Sequence, residues 1–287
     1  MLVNKKKLRK VVAVAACLAV TTTFTQAQTP VSIDISTLGG TAVNNSGNPT
    51  ESQWWYGGTG GLYLNSSNGT YTLTGTNADV VIEVFGNNAS VTLNSVSAKQ
   101  LYTSVIDNLT VTLIGTNSFV TSISGSAGVY YGGNGNFTIT SSSGGILTAK
   151  SVVYGIELDA STANLIIDGN ADVTSEGRTR TSNNIQMSDY AKLTMKTSVG
   201  ETHNFEKFNQ SSTYEWKLTN VTTTNLLTDS IISVTVAAGE TGTVERVNPI
   251  PVTYTITSTA GTGGSISPSG TISVEEGKDT NLYFFGK

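Results

Sequence analysis

Cysteine, histidine, proline and charge are all scarce in this chain of 287 residues. The one cysteine, Cys17, lies in an amino-terminal segment with the marks of a secretory leader. The mature protein is therefore expected to have no disulfide, no cysteine metal site and no cysteine nucleophile. The one histidine, His203, has no second histidine or cysteine to join it. It cannot begin a zinc site or a Ser-His-Asp arrangement, and it reads as a surface or loop residue. Charged residues make up 13% of the chain, too few for a basic nucleic-acid face. No apolar run beyond the leader is long enough to span a bilayer, so no membrane span is expected. Phosphate-loop and dinucleotide fingerprints are missing, and the many glycines stand in turn contexts rather than opening helices.

The leader is read from three features. Lys5, Lys6, Lys7, Arg9 and Lys10 are followed by an apolar run from Val11 to Val20, and Thr25-Gln26-Ala27 offers small residues at a cleavage point. Residues 1–27 are assigned as signal peptide. Val14-Ala15-Ala16-Cys17 has the look of a lipobox, but Leu18-Ala19-Val20 continues the apolar run past it. Soluble secretion is the reading, with a lipoprotein as the alternative. Cleavage removes five basic residues and no acidic ones, leaving eleven against twenty, a net charge of −9. Binding to nucleic acid is disfavoured.

What is abundant is Thr, Ser, Asn and Gly, with Val: poor helix formers and good strand and turn formers. Six segments repeat an apolar–x–apolar pattern: Tyr71-Thr72-Leu73, Val91-Thr92-Leu93, Val111-Thr112-Leu113, Phe137-Thr138-Ile139, Leu165-Ile166-Ile167 and Leu193-Thr194-Met195. Their steps are 20, 20, 26, 28 and 28 residues. Alternation of this kind is a strand with one face buried. A strand that returns at this interval, with further short strands between copies, predicts a solenoid. Gly75, Gly115 and Gly169 stand two residues past a triplet, where a sharp corner needs positive φ. The expected fold is all-β: a right-handed parallel β-helix with three short strands per coil. Superposing the triplets predicts internal ladders through Leu73, Leu93, Leu113, Ile139, Ile167 and Met195, and through Tyr71, Val91, Val111, Phe137, Leu165 and Leu193. It places Asp168 between Thr140 and Lys196, with an Asp168–Lys196 surface pair. Trp216-Lys217-Leu218 and Val234-Thr235-Val236 are expected to add two rungs, for a rod roughly 40 Å long.

The β-helix with its amino-terminal cap is placed at 28–247, the cap itself running from Gln28 to Gly61. Asn248-Pro249-Ile250-Pro251 reads as a linker (248–251), because two prolines cannot donate to a ladder. In 252–287 the texture changes: Tyr254-Thr255-Ile256-Thr257, then Gly263-Gly264, Ser267-Pro268-Ser269-Gly270 and Val274-Glu275-Glu276-Gly277. This order resembles the opening of a divergent internalin B-repeat, a small β-module of bacterial surface proteins, and implies a partial copy of that module. The body, over Tyr71 to Met195, resembles the β-helical carbohydrate-binding proteins of bacterial cell surfaces, carried by segments such as Asn108-Leu109-Thr110-Val111-Thr112-Leu113-Ile114-Gly115. That resemblance implies polysaccharide binding and bound calcium. Asp159, Asp168, Asn170 and Asp172 are the best local oxygen cluster for calcium, though no cofactor is required by the residues themselves.

Candidate ligand-binding residues are aromatic, because the apolar face of a sugar ring stacks on Trp and Tyr. They are Trp54, Trp55 and Tyr56 in a Gly-rich segment, and Tyr130 and Tyr131 before Gly132-Gly133. The competing reading is that Trp54 and Trp55 plug the amino-terminal end of the core; at least one is expected to do so, and because an adjacent pair points two ways in a strand the other is free to be exposed. No catalytic constellation is found. Arg178 and Arg180, after Asp172 and Glu176, are the nearest approach to lyase chemistry and read as a solvated loop. Asp168 and Asp172 are the nearest approach to a hydrolase pair. The expectation is a secreted or cell-surface, non-catalytic polysaccharide-binding protein. The alternatives are a structural adhesin or stalk contacting proteins, and a polysaccharide lyase or hydrolase. An exposed aromatic row on a flat face favours binding, and a smooth Thr face favours the stalk.

Overall fold

A computed structural model describes residues 31–44, 54–65, 70–103, 107–188, 190–207, 214–228, 231–247, 253–275 and 278–286. The leader and the Pro linker 248–251 lie outside the described residues. The protein is all-β; among the described residues the only helical element is a short 3₁₀ turn, Ile35–Thr37.

Parallel pairing at long sequence separation organises the main sheet. Tyr71 pairs with Val31 on one side and Val91 on the other. Val91 pairs with Val111, Val111 with Ile139, Ile139 with Ile167, Ile167 with Met187, and Met187 with Lys207. Tyr71, Val91, Val111, Ile139, Ile167 and Met187 are all buried, so they form one continuous apolar ladder. A second ladder runs through Ala89, Leu109, Phe137, Leu165 and Ile185. The long strand Ile146–Leu158 supplies two further stretches. It pairs with Thr116–Thr121 and Ala127–Tyr131 below and with Asp172–Arg180 above, with register shifts between Lys150 and Ile156. Gly75, Gly115 and Gly169 have φ of +92°, +64° and +59°, as their place after the triplets predicts.

The register differs from the triplet alignment in two places. The step from Val111 is 28 residues, to Ile139, so Phe137 stacks on Leu109 rather than on Val111. Leu109-Thr110-Val111 and Val111-Thr112-Leu113 share one pattern, and a two-residue slip leaves every side chain on its own face. Binary patterning therefore cannot separate them; only a one-residue slip would be penalised. A column of asparagines hydrogen-bonds across the strands in the observed register. Asn108 Nδ2 donates to Asn88 Oδ1 (2.7 Å), Asn136 N–H to Asn108 Oδ1 (2.8 Å) and Asn164 Nδ2 to Asn136 Oδ1 (3.0 Å).

The second difference is the sixth triplet. Leu193 pairs with Val173, while Ile185–Met187 occupies the place above Leu165–Ile167. Asp168 does stack on Thr140, whose Oγ1 donates to Asp168 Oδ2 at 3.3 Å. Lys196 instead stacks on Glu176, whose carboxylate lies 3.7 Å from its Nζ. The expected Asp168–Lys196 pair is therefore replaced by a Lys150–Glu176–Lys196 line, with Lys150 at 2.9 Å.

The ends also differ from expectation. Val31–Asp34, within the supposed amino-terminal cap, is already a parallel rung. Trp216-Lys217-Leu218 and Val234-Thr235-Val236 do not extend the ladder. Glu215–Thr219 runs antiparallel to Thr241–Val247, and Ile231–Val236 antiparallel to Glu201–Lys207. Reversal of strand direction ends a parallel stack and covers its open edge. In the carboxy-terminal segment, Thr253–Ser258 pairs with Gly270–Glu275 and Gly264–Ser267 with Tyr283–Gly286, both antiparallel.

Candidate functional site

One outward column on the main sheet is rich in aromatic and charged side chains. Leu62 and Leu64, Ile82 and Val84, Leu101 and Thr103, Val129 and Tyr131, and Ile156 and Leu158 are all buried. Alternation therefore turns the residue between each pair outward. Those residues are Tyr63, Glu83, Tyr102, Tyr130 and Glu157, the last itself buried, and backbone pairing stacks them in that order. Trp55 joins below Tyr63, and Arg180 above Glu157. Six strand spacings make the column roughly 29 Å long.

Its rings stand upright and stack across strands. Trp55 and Tyr63 have centroids 4.7 Å apart and planes 12° from parallel. Tyr102 and Tyr130 lie 4.8 Å apart at 8°. Phe85 meets Trp55 edge-on at 5.3 Å. Two glycines make room: a Cβ on Gly61 would sit 2.7 Å from Tyr63 Cε2, and one on Gly132 3.1 Å from Tyr130 Cε1. Stacking covers one face of each ring. The faces left toward Glu83 belong to Tyr63 on one side and Tyr102 on the other.

The upper end of the column is ionic. Arg180 Nη1 lies 2.7 Å from Glu157 Oε1 and 3.0 Å from Asp159 Oδ1. The hydrogen bond to Glu157 holds the guanidinium above its ordinary pKa. Tyr130 donates its hydroxyl to Asp159 Oδ2 at 3.3 Å. Desolvation first, and then the Asp159 charge, raise the pKa of that phenol. Arg178 and Arg180 both pass over the Tyr154 ring, at 5.4 and 6.0 Å from its centroid. Beside them is a groove of about 280 Å³ lined by Tyr154, Arg178, Arg180, Glu201, Thr202 and His203. Glu201 is buried at its floor. Both of its oxygens accept the Thr179 N–H at 3.1 Å, and Arg178 Nε and His203 Nε2 lie at 3.7 and 3.5 Å.

Of the residues picked from sequence, the structure brings Trp55 and Tyr130 onto this column. Trp54 turns inward and packs half-buried against the core. Tyr56 and Tyr131 are corrections to the ligand-binding set: both are buried. Tyr131 stacks on Phe137 and donates its hydroxyl to the Asp107 carbonyl at 2.8 Å. Each neighbours a residue that points outward, and adjacent strand residues face opposite ways. Arg178 and Arg180 lie on strand Asp172–Arg180 rather than in a loop, and His203 lies on strand Glu201–Lys207 with its side chain 10% exposed.

The four calcium candidates have separate partners. Asp159 is held by Arg180 and Tyr130, Asp172 by Lys192 at 2.8 Å, and Asp168 by Thr140. Asn170 donates to the Ser142 carbonyl at 3.2 Å. The three carboxylates thus have three different sets of partners, and Asn170 is engaged through its amide nitrogen. Among the described residues, no group of three or more His, Cys, Asp or Glu side chains could hold a metal.

Tyr63, Glu83, Phe85 and Tyr102 are additions from the structure. For Tyr63 and Glu83 the sequence signal is the same apolar–x–apolar triplet with Thr replaced, Leu62-Tyr63-Leu64 and Ile82-Glu83-Val84, and for Tyr102 a triplet whose last place is polar, Leu101-Tyr102-Thr103. No protein-family model, curated protein or solved structure matches the chain. Among the described residues no helix is long and apolar enough to cross a membrane.

Proposed function

We propose that the chain is a secreted or cell-surface, non-catalytic polysaccharide-binding protein built on a right-handed parallel β-helix. Parallel pairing at intervals of 20 and 28 residues supports the helix. Parallel crossovers are almost always right-handed, which supports its hand. The carboxy-terminal segment is read as a partial module of the internalin B-repeat type.

The observation that carries the function is the outward column Trp55–Tyr63–Glu83–Tyr102–Tyr130–Glu157. Solvent-facing aromatics aligned on a rigid sheet suit a long ligand that is apolar on its ring faces and hydroxylated at its edges. A glycan laid along the column meets aromatic surface and phenol hydroxyls in turn. The non-catalytic reading rests on the ionic end. Glu157 and Asp159 are engaged by Arg180, and Glu201 by a backbone N–H, so each carboxylate there already has a partner.

A panel of plant and microbial polysaccharides tested by affinity electrophoresis and pull-down examines this reading. At least one glycan is expected to retard the protein, with retardation reduced in Trp55→Ala and Tyr102→Ala. Retardation by no glycan refutes the function. Retardation unchanged by both substitutions refutes the site. Product formation on uronic-acid polymers refutes the non-catalytic assignment.

A further inference from the structure

The strands that carry Glu157 and Arg180 hold a second set of charges on their earlier stretches, away from the aromatic column. Lys150, Glu176 and Lys196 stack there on successive strands. Both ammonium groups converge on one carboxylate oxygen, Glu176 Oε2, at 2.9 and 3.7 Å. The lysine side chains are 52% and 58% exposed, against 24% for Glu176. The carboxylate therefore lies beneath and the two cations form the rim. The hydrogen bond from Lys150 holds the Glu176 carboxyl below its ordinary pKa, so it stays ionised. A groove of about 370 Å³ opens at this point, with Val152, Gly177 and Ser198 also in its wall and Glu176 as the one acid lining it.

Charge in the groove is out of balance. Two lysines nearby each have an acid of their own: Lys192 lies 2.8 Å from Asp172, and Lys217 lies 3.1 Å from Glu245. In the groove, two positive charges face a single negative one. The excess is local, because the whole chain carries −4. It attracts an anionic group. Lysine ammoniums are compact charges with three donors each, and they suit the several oxygens of a sulfate or phosphate ester. A planar carboxylate is matched better by the fork of arginine. Val152, 66% exposed, adds apolar surface against which a sugar ring can lie.

Resting on the reading of the chain as a polysaccharide-binding protein, we infer that this groove is a second site, which takes the sulfate or phosphate ester group of a modified glycan. The ester oxygens meet the Lys150 and Lys196 ammonium groups from the solvent side. Glu176 limits the affinity, because its charge offsets half of theirs.

Affinity electrophoresis of the full chain in dextran, sulfated dextran, phosphorylated dextran and polygalacturonate tests this. At least one esterified dextran is expected to retard the protein where dextran does not, and the stronger of the two identifies the ester. Lys150→Gln and Lys196→Gln are each expected to weaken that retardation by about threefold to tenfold, with little effect on folding because both side chains are wet. Glu176→Gln removes the competing charge and is expected to strengthen it by a similar factor, which a purely structural ion pair would not do. Added salt should weaken it, and Trp55→Ala, in the aromatic column, should leave it unchanged. Retardation by neither ester, a preference for polygalacturonate, or no response to the lysine and Glu176 substitutions overturns the inference. Retardation by a neutral glycan but by neither ester removes this site and leaves the glycan reading standing. Retardation by no glycan at all removes both.

Discussion

Arg180 is expected to be the most consequential single charge in the column, and the geometry sets the size of the effect. Its guanidinium lies 2.7 Å from Glu157, whose side chain is 10% exposed, and 3.0 Å from Asp159, which is 49% exposed. Replacing Arg180 by Met keeps the aliphatic stem and removes the charge. Asp159 is wet and loses little. Glu157 is left as a nearly buried carboxylate without its cation. A fully enclosed orphan charge costs about 3–5 kcal/mol. Here the arginine side is open, with Arg180 itself 48% exposed, so water enters in its place. The loss is then closer to one charged hydrogen bond, about 2 kcal/mol. Glu157→Gln retains an acceptor for Arg180 and is expected to cost about 1 kcal/mol or less. Because the penalty in Arg180→Met comes from the stranded carboxylate, adding Glu157→Gln removes it. The double variant should be more stable than the sum of the singles predicts, by about 1 kcal/mol. Urea unfolding followed by circular dichroism reads all three as midpoint shifts at constant m-value. A loss below about 0.5 kcal/mol in Arg180→Met, or strict additivity in the double variant, refutes the view that Arg180 neutralises Glu157.

Three other outcomes follow from the same geometry. A Cβ on Gly61 falls 2.7 Å from Tyr63 Cε2, the outer part of a side chain that can swing away. Gly61→Ala should therefore weaken glycan retardation while moving the unfolding midpoint little; unchanged retardation would remove Tyr63 from the site. The register is open to a cross-linking test. Thr110 pairs with Thr138, within disulfide reach, whereas Thr112 lies two residues off, roughly 8 Å away. Oxidation should close the bridge in Thr110→Cys/Thr138→Cys and not in Thr112→Cys/Thr138→Cys, and the reverse result would restore the 26-residue step. Burial pushes the Tyr131 phenol up to about 12 and raises that of Tyr71 as well. A raised phenol pKa means the folded state favours the neutral form. This stabilisation is complete below about pH 10, the ordinary phenol value, and is lost as pH rises toward 12. Denaturation curves across that interval should show falling stability, and a smaller fall in Tyr131→Phe; a flat profile would contradict the burial of these phenols.

Much of the fold is legible in the chain because a β-strand has period two and the core is one-sided. Val91 above Tyr71, Leu93 above Leu73 and Leu165 above Phe137 all follow from aligning triplets. The same period explains the errors. Phe137 stacks on Leu109 instead of Val111, a slip of two that conceals itself in the pattern. Leu193 stacks on Val173, while Ile185–Met187 takes the place above Leu165–Ile167 that the triplet pattern alone assigned to Leu193. The aromatic site is legible only in fragments. Trp55 and Tyr130 are conspicuous as aromatic clusters, but their inward neighbours Tyr56 and Tyr131 look identical until strand direction is known. Glu83 has no local distinction at all.

The sequence by itself determined the composition of each layer: which residues face the core, where the corners fall, and that the chain is all-β. These are local properties, set by alternation, turn glycines and strand propensity within a few residues. Tertiary structure decided which strands became neighbours. Tyr63, Glu83 and Tyr102 are about 20 residues apart in sequence and adjacent in space only because hydrogen-bonded strands stack in one register. Contacts such as the Asn88–Asn108–Asn136–Asn164 column accompany that register and join residues 20 to 28 apart in sequence. The aromatic column is a property of that stacking, since Tyr63, Tyr102 and Tyr130 each lie on a different strand.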